Sequence, residues 1–303
     1  MAVGDSLQVA AATHGNGIAA KGAAMTATQS DGGAEEKPWA ARQAQARAVT
    51  ALILTFNEEK NIARTLAGLD WVDHILVVDS GSTDATLAIL KRTPGVEVLG
   101  RPFDSFANQR NFGLERIRTP WVLSLDADYG ISPRLAAVLR HAMASAPDPV
   151  AGFALPFRYC IAGQPLRGTV LPPRTVLFRH RQAWYVADGH AEALRLPGEV
   201  WPLAEPILHD DRKPLTRWLK AQPRYLLAER QKLLSTPWRQ LCLADRLRKH
   251  SPLAPLAVGL YCLLIKGNLW DGPRGLFYAS QRIYAELLLL LFLLEARTSQ
   301  GRP

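Results

Sequence analysis

The chain has 303 residues, of which 48% are hydrophobic, and its 36 lysines and arginines outnumber its 27 aspartates and glutamates. This composition excludes a wholly disordered, collagen-like or disulfide-scaffold protein, and the length allows one large or two modest domains. The first 150 residues carry 14 basic and 16 acidic side chains, whereas the rest carry 22 and 11. The positive charge therefore belongs to the second half, where it favours an anionic partner such as phospholipid or nucleic acid.

The three cysteines lie far apart, at positions 160, 242 and 262, without Cys-x-x-Cys spacing. This pattern favours neither a zinc site nor a disulfide framework, and it fits a reducing cytoplasm. No apolar segment follows a basic start, so the sequence predicts no secretory signal. Residues 1–47 are rich in Ala, Gly, Thr and Gln, and we expect a disordered tail there.

Short apolar runs alternate with helical patterns as far as residue 146. Predicted strands cover 49–56, 74–79, 96–99 and 121–126. Predicted helices start near Asn57, Ser82, Ser105 and Pro133, the first two with a capping residue and the last with proline at its first position. The alternation predicts an α/β fold with a mostly parallel sheet covered on both faces.

Polar residues close three of these strands. Thr55, Asp79 and Asp126 stand at carboxyl ends, which is where ligands bind in open α/β sheets. Asp126 and Asp128 are separated by one small residue and offer hard oxygen ligands suited to Mg²⁺ or Mn²⁺. Two acids at this spacing are also common on ordinary loops. The turns lack Gly-x-Gly-x-x-Gly, so a nicotinamide or flavin dehydrogenase is not expected.

The second half divides into two parts. Residues 151–209 are rich in Pro and Gly, with short runs at 175–178 and 192–196, and predict a mixed-sheet extension. Residues 211–250 have the composition of basic amphipathic helices. Two apolar stretches follow, at 252–265 and 283–294. They are shorter than the roughly 20 residues needed to cross a bilayer, so we expect interfacial or re-entrant helices, with packed core helices as the alternative.

Four motifs in this order resemble the inverting nucleotide-sugar glycosyltransferases of family 2, which have the GT-A fold. They are LTFNEEKNI at 54–62, VVDSGSTDAT at 77–86, QRNFGL at 109–114 and WVLSLDADY at 121–129. The resemblance runs from about residue 49 to residue 295 and is closest to the bacterial branch that builds lipopolysaccharide core or related envelope glycans. It implies a GT-A catalytic domain at 48–210 and a membrane-associating helical region at 211–303.

The resemblance also implies roles for single residues. Thr55, Asn57 and Glu58 would lie beside the nucleotide base and ribose, and Asp79 would hold the base or ribose. Arg110 would approach the donor sugar or diphosphate. Asp126 and Asp128 would bind Mg²⁺ or Mn²⁺ together with the diphosphate.

A general base is required because the acceptor hydroxyl loses a proton as it attacks. The candidates are Asp188, His190 and Glu192. The family pattern has Glu directly after His, whereas this chain has Ala191 there. If 188–192 is extended, the three side chains share one face; if it is a turn, only one needs to face the cleft. The alternative is that His190 and Glu192 are ordinary surface residues.

Three other clusters have no assigned role. His209, Asp210 and Asp211 either bind substrate phosphate or mark a loop, and the loop is favoured. Arg174 and Arg179 flank a predicted strand and either contact phosphates or are solvated at the surface, and the surface is favoured. Residues 270–275 are expected to form a structural turn.

The leading hypothesis is a metal-dependent glycosyltransferase, a hexosyl- or heptosyltransferase, at the inner face of the cytoplasmic membrane. A UDP-sugar is the expected donor and a lipid-linked or lipopolysaccharide-type molecule the expected acceptor, with no nucleic acid partner. One alternative is a haloacid-dehalogenase-like phosphatase, whose nucleophile loop also has Asp-x-Asp after an apolar strand. The other is a non-enzymatic basic membrane-binding module.

Overall fold

The computed structural model describes residues 47–188 and 191–300. The predicted tail, apart from its last residue, and His190 therefore lie outside the described residues, and the predicted domain boundaries stay predictions. The strands are β1 (Val49–Thr55), β2 (His74–Asp79), β3 (Val96–Gly100), β4 (Trp121–Asp126), β5 (Tyr129–Gly130), β6 (Val150–Leu155), β7 (Phe157–Ile161), β8 (Gln164–Pro165), β9 (Arg174–Arg179), β10 (Trp184–Asp188), β11 (Ala191–Arg195), β12 (Glu199–Pro202) and β13 (Ile207–His209).

The helices complete the α/β arrangement and form the C-terminal region. They are α1 (Ile62–Ala67), α2 (Thr86–Arg92), α3 (Phe106–Leu114), α4 (Pro133–Ser145), α5 (Leu215–Ser235), α6 (Leu243–His250), α7 (Ala254–Leu260) and α8 (Pro273–Gln300). A π-helical turn at Tyr261–Ile265 continues α7, and short 3-10 turns occupy Trp238–Gln240 and Asn268–Asp271.

The central sheet has seven strands in the order β12-β6-β9-β4-β1-β2-β3. Strands β4, β1, β2 and β3 are parallel, while β9 runs antiparallel to both β4 and β6. A second sheet, β5-β13-β7-β8, and the β10-β11 hairpin lie beyond it. The predicted fold class is confirmed: a mixed α/β fold with a mostly parallel central sheet, a mixed extension and a helical C-terminal region.

Alternate residues of the buried strands point to opposite faces of the sheet. Ile53 belongs to a core cluster that contains the apolar side chains of α1, α2 and α4. Leu52 belongs to a separate cluster with residues of α3 and β10. Both faces are therefore covered, as the continuous apolar runs predicted.

Two predicted helix starts are wrong. Asn57 does not cap a helix, because its backbone is left-handed (φ 56°) and its Oδ1 accepts from Thr83 N at 2.7 Å. The helix instead follows Asn61. Ser82 donates to Asp79 Oδ1 at 2.5 Å, so α2 starts at Thr86. The caps at Ser105 and Ser132 and the start at Pro133 follow local sequence rules.

The second apolar stretch lies inside a much longer helix than expected. Helix α8 has 28 residues, and Pro273–Ser299 is long and apolar enough to cross a membrane by length and composition alone. The prediction that this stretch is too short is therefore wrong. Its charges are accommodated by neighbours: Glu286 pairs with Arg248 of α6 at 3.0 Å, and Arg282 lies over the rings of Trp218 and Tyr278. Length and composition are weak evidence of a span, because core helices pass the same test.

Candidate active site

Adjacent parallel strands bring the predicted polar strand ends together. The register of β1 pairs Thr55 with Asp79 of β2 and Leu54 with Asp126 of β4. Thr55 Oγ1 donates to Asp79 Oδ1 at 2.9 Å. Thr55, Asp79 and Asp126 thus lie side by side at one edge of the sheet.

The carboxylate of Asp79 organises the loop that follows β2. Its Oδ2 accepts from the backbone N–H groups of Gly81 and Ser82, both at 2.9 Å, and its Oδ1 accepts from Thr55 and Ser82. The side chain is buried. Asp79 therefore fixes the shape of the loop from behind, while the neighbouring Ser80 reaches the cleft described next.

A cleft of about 330 Å³, including its open mouth, lies at this edge of the sheet. Its lining combines aromatic, polar and acidic side chains: Leu54, Thr55, Phe56, Glu58, Ser80, Phe103, Phe106, Gln109, Asp126 and Ala127. The rings of Phe103 and Phe106 meet edge to face with centroids 5.0 Å apart. A lining of aromatic and polar side chains suits a planar group that carries hydrogen-bonding and charged substituents.

Arg110, expected near the donor, is an internal side chain of α3. Its Nη2 donates to Asp126 Oδ1 at 2.5 Å, its Nε to Glu192 Oε1 at 2.9 Å and its Nη1 to Ser124 Oγ at 2.8 Å. Arg174, expected at the surface, donates to the same Glu192 oxygen at 3.0 Å. The two arginines and two carboxylates form a neutral network. Burial alone would raise the pKa of Asp126, but the charges of Arg110, Arg174 and His209 and a hydrogen bond from Tyr129 together outweigh burial, so the pKa is lowered.

Two buried acceptors beside this network have no hydrogen-bond partner. They are Asp126 Oδ2 and Asp128 Oδ1. His209, at the end of β13, places its Nε2 3.3 Å from Asp128 Oδ2, and both side chains are buried. Burial lowers the pKa of His209, but the hydrogen bond to Asp128 and the charges of Asp128, Asp211 and Asp126 together outweigh burial, so the pKa is raised. Unpaired buried carboxylate oxygens are costly unless a cation or a proton satisfies them.

These atoms fit a divalent cation by chemistry, although they do not form a complete cage. Carboxylate oxygens suit both Mg²⁺ and Mn²⁺. Within 47–188 and 191–300, no group of three or more His, Cys, Asp or Glu side chains is arranged to hold a metal ion. A cation here would complete its coordination with water and with ligand oxygens.

The general-base candidates are separated by a hairpin. Asp188 pairs with Ala191 across the β10-β11 ladder, and Glu192 pairs with Ala187. Neighbouring ladder positions point to opposite faces, so Asp188 and Glu192 lie on opposite faces of the hairpin, as the turn alternative allowed. Asp188 faces α5, where it pairs with Lys232 at 3.1 Å. Glu192 faces the interior, so it is not an ordinary surface residue.

The residues after β1 are held from the C-terminal region. Residues 56–58, here called the β1 loop, include Phe56 and Glu58 of the cleft lining. Lys213 Nζ donates to Glu58 Oε1 at 2.5 Å, and Arg217 donates to the carbonyl oxygens of Phe56 and Asn57, both at 2.8 Å. Asn57 itself turns its side chain toward the 83–84 backbone rather than into the cleft.

The unassigned clusters have distinct structural roles. Arg179 donates to Val150 O at 2.9 Å and lies over the Trp121 ring, so it holds strand ends together. Asp210 and Asp211 pair with basic neighbours, as a loop would, whereas His209 belongs to a strand and to the carboxylate site. Sequence reasoning favoured a loop over a binding role for His209, and it missed Lys213 and Arg217. The signal for these two was their position shortly after the last strand.

Comparisons with known proteins place this site within a family. Residues 50–185 match the model of glycosyl transferase family 2. An uncharacterized glycosyltransferase of Rickettsia felis is 35% identical over 98 residues, which are 32% of this chain and 34% of that protein. The lipopolysaccharide core biosynthesis glycosyltransferase LpsC of Rhizobium meliloti is 29% identical over 119 residues, 38% of this chain and 44% of that protein. The chain thus spans less than half the length of these curated relatives.

Solved structures give weaker likenesses. S. aureus TarS 1-349 in complex with UDP-GlcNAc aligns with a TM-score of 0.46 and 16% identity, covering 84% of this chain and 92% of that one. Glucosyl-3-phosphoglycerate synthase from Mycobacterium tuberculosis, in complex with Mn²⁺, UDP and phosphoglyceric acid, aligns with a TM-score of 0.44 and 14% identity, covering 65% and 81%. The segment that matches glycosyl transferase family 2, residues 50–185, includes Thr55, Asp79, Arg110, Asp126 and Asp128.

Proposed function

We propose that the protein is an inverting glycosyltransferase that moves a sugar from a nucleoside diphosphate-sugar to the hydroxyl of a lipid-linked or lipopolysaccharide-type acceptor. The observation that carries this proposal is the buried pair Asp126 and Asp128: each has an oxygen without a hydrogen-bond partner, and Asp126 lines the aromatic cleft. A cleft for a base beside carboxylates for a cation matches the two ends of a nucleotide-sugar.

The nucleotide enters the cleft with its base between the β1 loop and the Phe103–Phe106 pair. Stacking on aromatic rings and hydrogen bonds to Thr55 and Ser80 hold a base and ribose without a positively charged pocket. Asp79 acts through Thr55 and the loop after β2, since its own oxygens are occupied. A UDP-sugar is the proposed donor.

The diphosphate would lie toward Asp126 and Asp128, where Asp126 Oδ2 and Asp128 Oδ1 would hold Mg²⁺ or Mn²⁺. The cation supplies Lewis-acid stabilisation of the negative charge that builds on the leaving diphosphate. Arg110 keeps Asp126 Oδ1 occupied, so Asp126 presents Oδ2 alone. His209 orients Asp128 from the opposite side.

The base that accepts the proton of the attacking hydroxyl comes from Asp188, His190 or Glu192. Glu192 Oε1 is bonded to two arginines, which leaves Oε2, a buried atom without a hydrogen-bond partner, as its proton acceptor. Asp188 has its ion pair with Lys232 at the opposite face of the hairpin. Glu192 is therefore the stronger candidate of these two described residues.

The C-terminal helices are proposed to bind the inner face of the cytoplasmic membrane peripherally, where a lipid-linked acceptor is found. Large apolar side chains are exposed around the turn between α7 and α8, among them Ile265 at 73% and Trp270 at 74%. Lys266 and Arg274 flank Trp270 in the sequence, and the positive second half suits anionic lipid. The relative named for lipopolysaccharide core biosynthesis supports an envelope acceptor.

The phosphatase alternative fits less well. Residues 50–185, which include the whole Asp-Ala-Asp motif, match glycosyl transferase family 2 rather than a phosphatase family. A binding module without activity does not account for the buried unpaired carboxylates. Neither alternative is favoured by a specific contact.

The test is a panel of UDP-, GDP- and ADP-linked hexoses and heptoses with a crude envelope-lipid acceptor and Mg²⁺ or Mn²⁺, following release of the nucleoside diphosphate. We expect turnover with one donor class, abolished in Asp128→Asn and retained in Asp70→Asn, an exposed residue with the same charge change. Turnover that is equal in both variants contradicts the assigned site. Hydrolysis of a generic phosphate ester with an aspartyl-phosphate at Asp126 establishes the phosphatase instead.

A further inference from the structure

The β1 loop is held between two parts of the molecule. On one side, Asn57 N donates to Ser82 Oγ at 2.8 Å and Glu58 N donates to Thr86 Oγ1 at 2.7 Å. On the other side, the guanidinium of Arg217 bridges two successive carbonyl oxygens, those of Phe56 and Asn57. The loop is therefore fixed both by the residues after β2 and by the first turn of α5.

The geometry at Asn57 explains why a second support is needed. Its φ of 56° is left-handed, a conformation that costs free energy for residues other than glycine and is best tolerated by Asn. A bidentate guanidinium satisfies two adjacent carbonyls in one plane, which a single ammonium does not. Arg217 thus stabilises the backbone shape that directs Phe56 and Glu58 into the cleft.

Lys213 supports the same loop through a side chain. Its ammonium contacts Glu58 Oε1 and lies 3.5 Å from Asp211 Oδ1, and its side chain is 6% exposed. Burial lowers the pKa of Lys213, but the nearby charges of Asp128, Glu58 and Asp211 outweigh burial and raise it. The ammonium therefore stays charged beside both the cleft and the carboxylate site.

Helix α5 also packs against the apolar helix α8. The rings of Trp218 and Tyr284 lie 5.8 Å apart, and Leu226 and Leu233 share a buried cluster with Leu289 and Leu293 of α8. The residue that holds the β1 loop is thus anchored in the C-terminal region rather than in the sheet.

We propose that Arg217 is a positioning residue for the donor: by holding the Phe56 and Asn57 carbonyls it pre-forms the wall against which the nucleotide base binds. Arg217 does not touch the reacting atoms and acts through the β1 loop. This inference rests on the proposed function, and it predicts a defect in donor binding rather than in the chemical step. The C-terminal helical region would then be part of the nucleotide site.

The experiment compares Arg217→Gln, Arg217→Lys and the control Lys220→Gln. Lys220 is exposed on the same helix, and its substitution makes the same charge change as Arg217→Gln. We expect Arg217→Gln to weaken UDP binding in calorimetry, with Mn²⁺ present, by roughly tenfold, as for loss of a charged hydrogen-bond pair. Arg217→Lys keeps the charge but not the two parallel hydrogen bonds. Its affinity for UDP should lie between those of Arg217→Gln and the wild type. Lys220→Gln should bind as the wild type does.

Two further readouts separate positioning from general destabilisation. In steady-state assays Arg217→Gln should raise KM for the donor and leave kcat within about twofold of the wild type. In the ligand-free proteins, amide hydrogen exchange over residues 56–61 should be faster in Arg217→Gln than in Lys220→Gln, while the core strand β4 exchanges equally in both.

The outcomes separate the positioning role of Arg217 from the proposed glycosyltransferase function. Unchanged UDP affinity and loop exchange in Arg217→Gln overturn the positioning role, as does wild-type behaviour of Arg217→Lys. A loss of kcat at constant KM also overturns it. If the wild-type protein binds no nucleoside diphosphate, the proposed function fails, while faster exchange of the β1 loop in Arg217→Gln still reports on the support itself.

Discussion

The Nη2 atom of Arg110 lies 2.5 Å from Oδ1 of Asp126, and the two side chains are only 4% and 8% exposed. This pair occupies one oxygen of the carboxylate and leaves the other available. The Arg110 guanidinium also bridges Asp126 and Glu192, which links the proposed cation site to the proposed base. One arginine therefore joins two functional carboxylates 66 positions apart in the sequence.

Replacing Arg110 should destabilise the fold strongly. In Arg110→Gln, the carboxylates of Asp126 and Glu192 stay buried but lose a compensating positive charge. Breaking a buried ion pair in this way lowers the free energy of unfolding by about 3–5 kcal/mol. Urea denaturation measures the free energy of unfolding. Arg134→Gln is the control, because that side chain is 82% exposed. If Arg110→Gln loses no more unfolding free energy than the control, the buried network does not stabilise the fold as described.

Helix α3 should tolerate no added carbon at Gly113. A Cβ at this position would overlap Leu52 Cδ1 and lie 3.3 Å from Val78 Cγ2, both in the core cluster beneath the helix. Gly113→Ala should lower the free energy of unfolding by about 1–3 kcal/mol through overpacking. Gly100→Ala is the matched control, since an added Cβ there meets nothing within 4 Å. Equal stability of the two variants would show that α3 packs differently.

The buried thiols should react slowly in the native protein. Burial raises the pKa of Cys160 and of Cys262 to about 11, so at pH 8 both are almost entirely protonated. Between pH 8 and pH 10 the thiolate fraction of each rises about tenfold per pH unit, and alkylation by iodoacetamide should accelerate accordingly. Cys242, which is partly exposed, should be labelled before either of them at pH 8.

Mass spectrometry of the labelled peptides gives the rates. The same reaction in urea is the control, because unfolding removes the burial and brings the three rates together. Labelling of Cys160 ahead of Cys242 in the native protein would contradict its placement in the core.

The exposed apolar turn between α7 and α8 should control binding to lipid. Ile265→Ser with Trp270→Ser removes two large exposed side chains and should reduce cosedimentation with vesicles of anionic phospholipid severalfold. Trp184→Ser, a 49% exposed tryptophan on β10, is the control and should cosediment as the wild type does. Undiminished vesicle binding by the double variant contradicts a membrane role for this turn. A change in oligomeric state alone would identify a contact between copies of the chain.

The strand ends could be predicted because their signals are local. Each apolar run is followed directly by Thr55, Asp79 or Asp126, and parallel pairing brings carboxyl ends to the same edge. The partners of these residues could not be predicted, because they are remote. Glu192 is 82 positions from Arg110, and Arg217 is 160 positions from Asn57, so no periodicity connects them.

The length of α8 shows a second limit of prediction from the sequence. Arg282 and Glu286 interrupt the apolar pattern, which indicated a short segment. In the fold these charges contact Trp218 and Arg248 of two other helices, so the helix continues through them. Whether a charge ends an apolar segment depends on tertiary partners that the local sequence does not contain.

The central claim is that Asp126 and Asp128 bind a nucleoside diphosphate through a divalent cation. Calorimetric titration of UDP into the wild-type protein, with Mn²⁺ and then with EDTA, tests it most directly, alongside Asp128→Asn and the exposed control Asp70→Asn. We predict saturable binding that requires Mn²⁺, is lost in Asp128→Asn and is retained in Asp70→Asn. Binding of equal affinity with EDTA and in Asp128→Asn would contradict the claim.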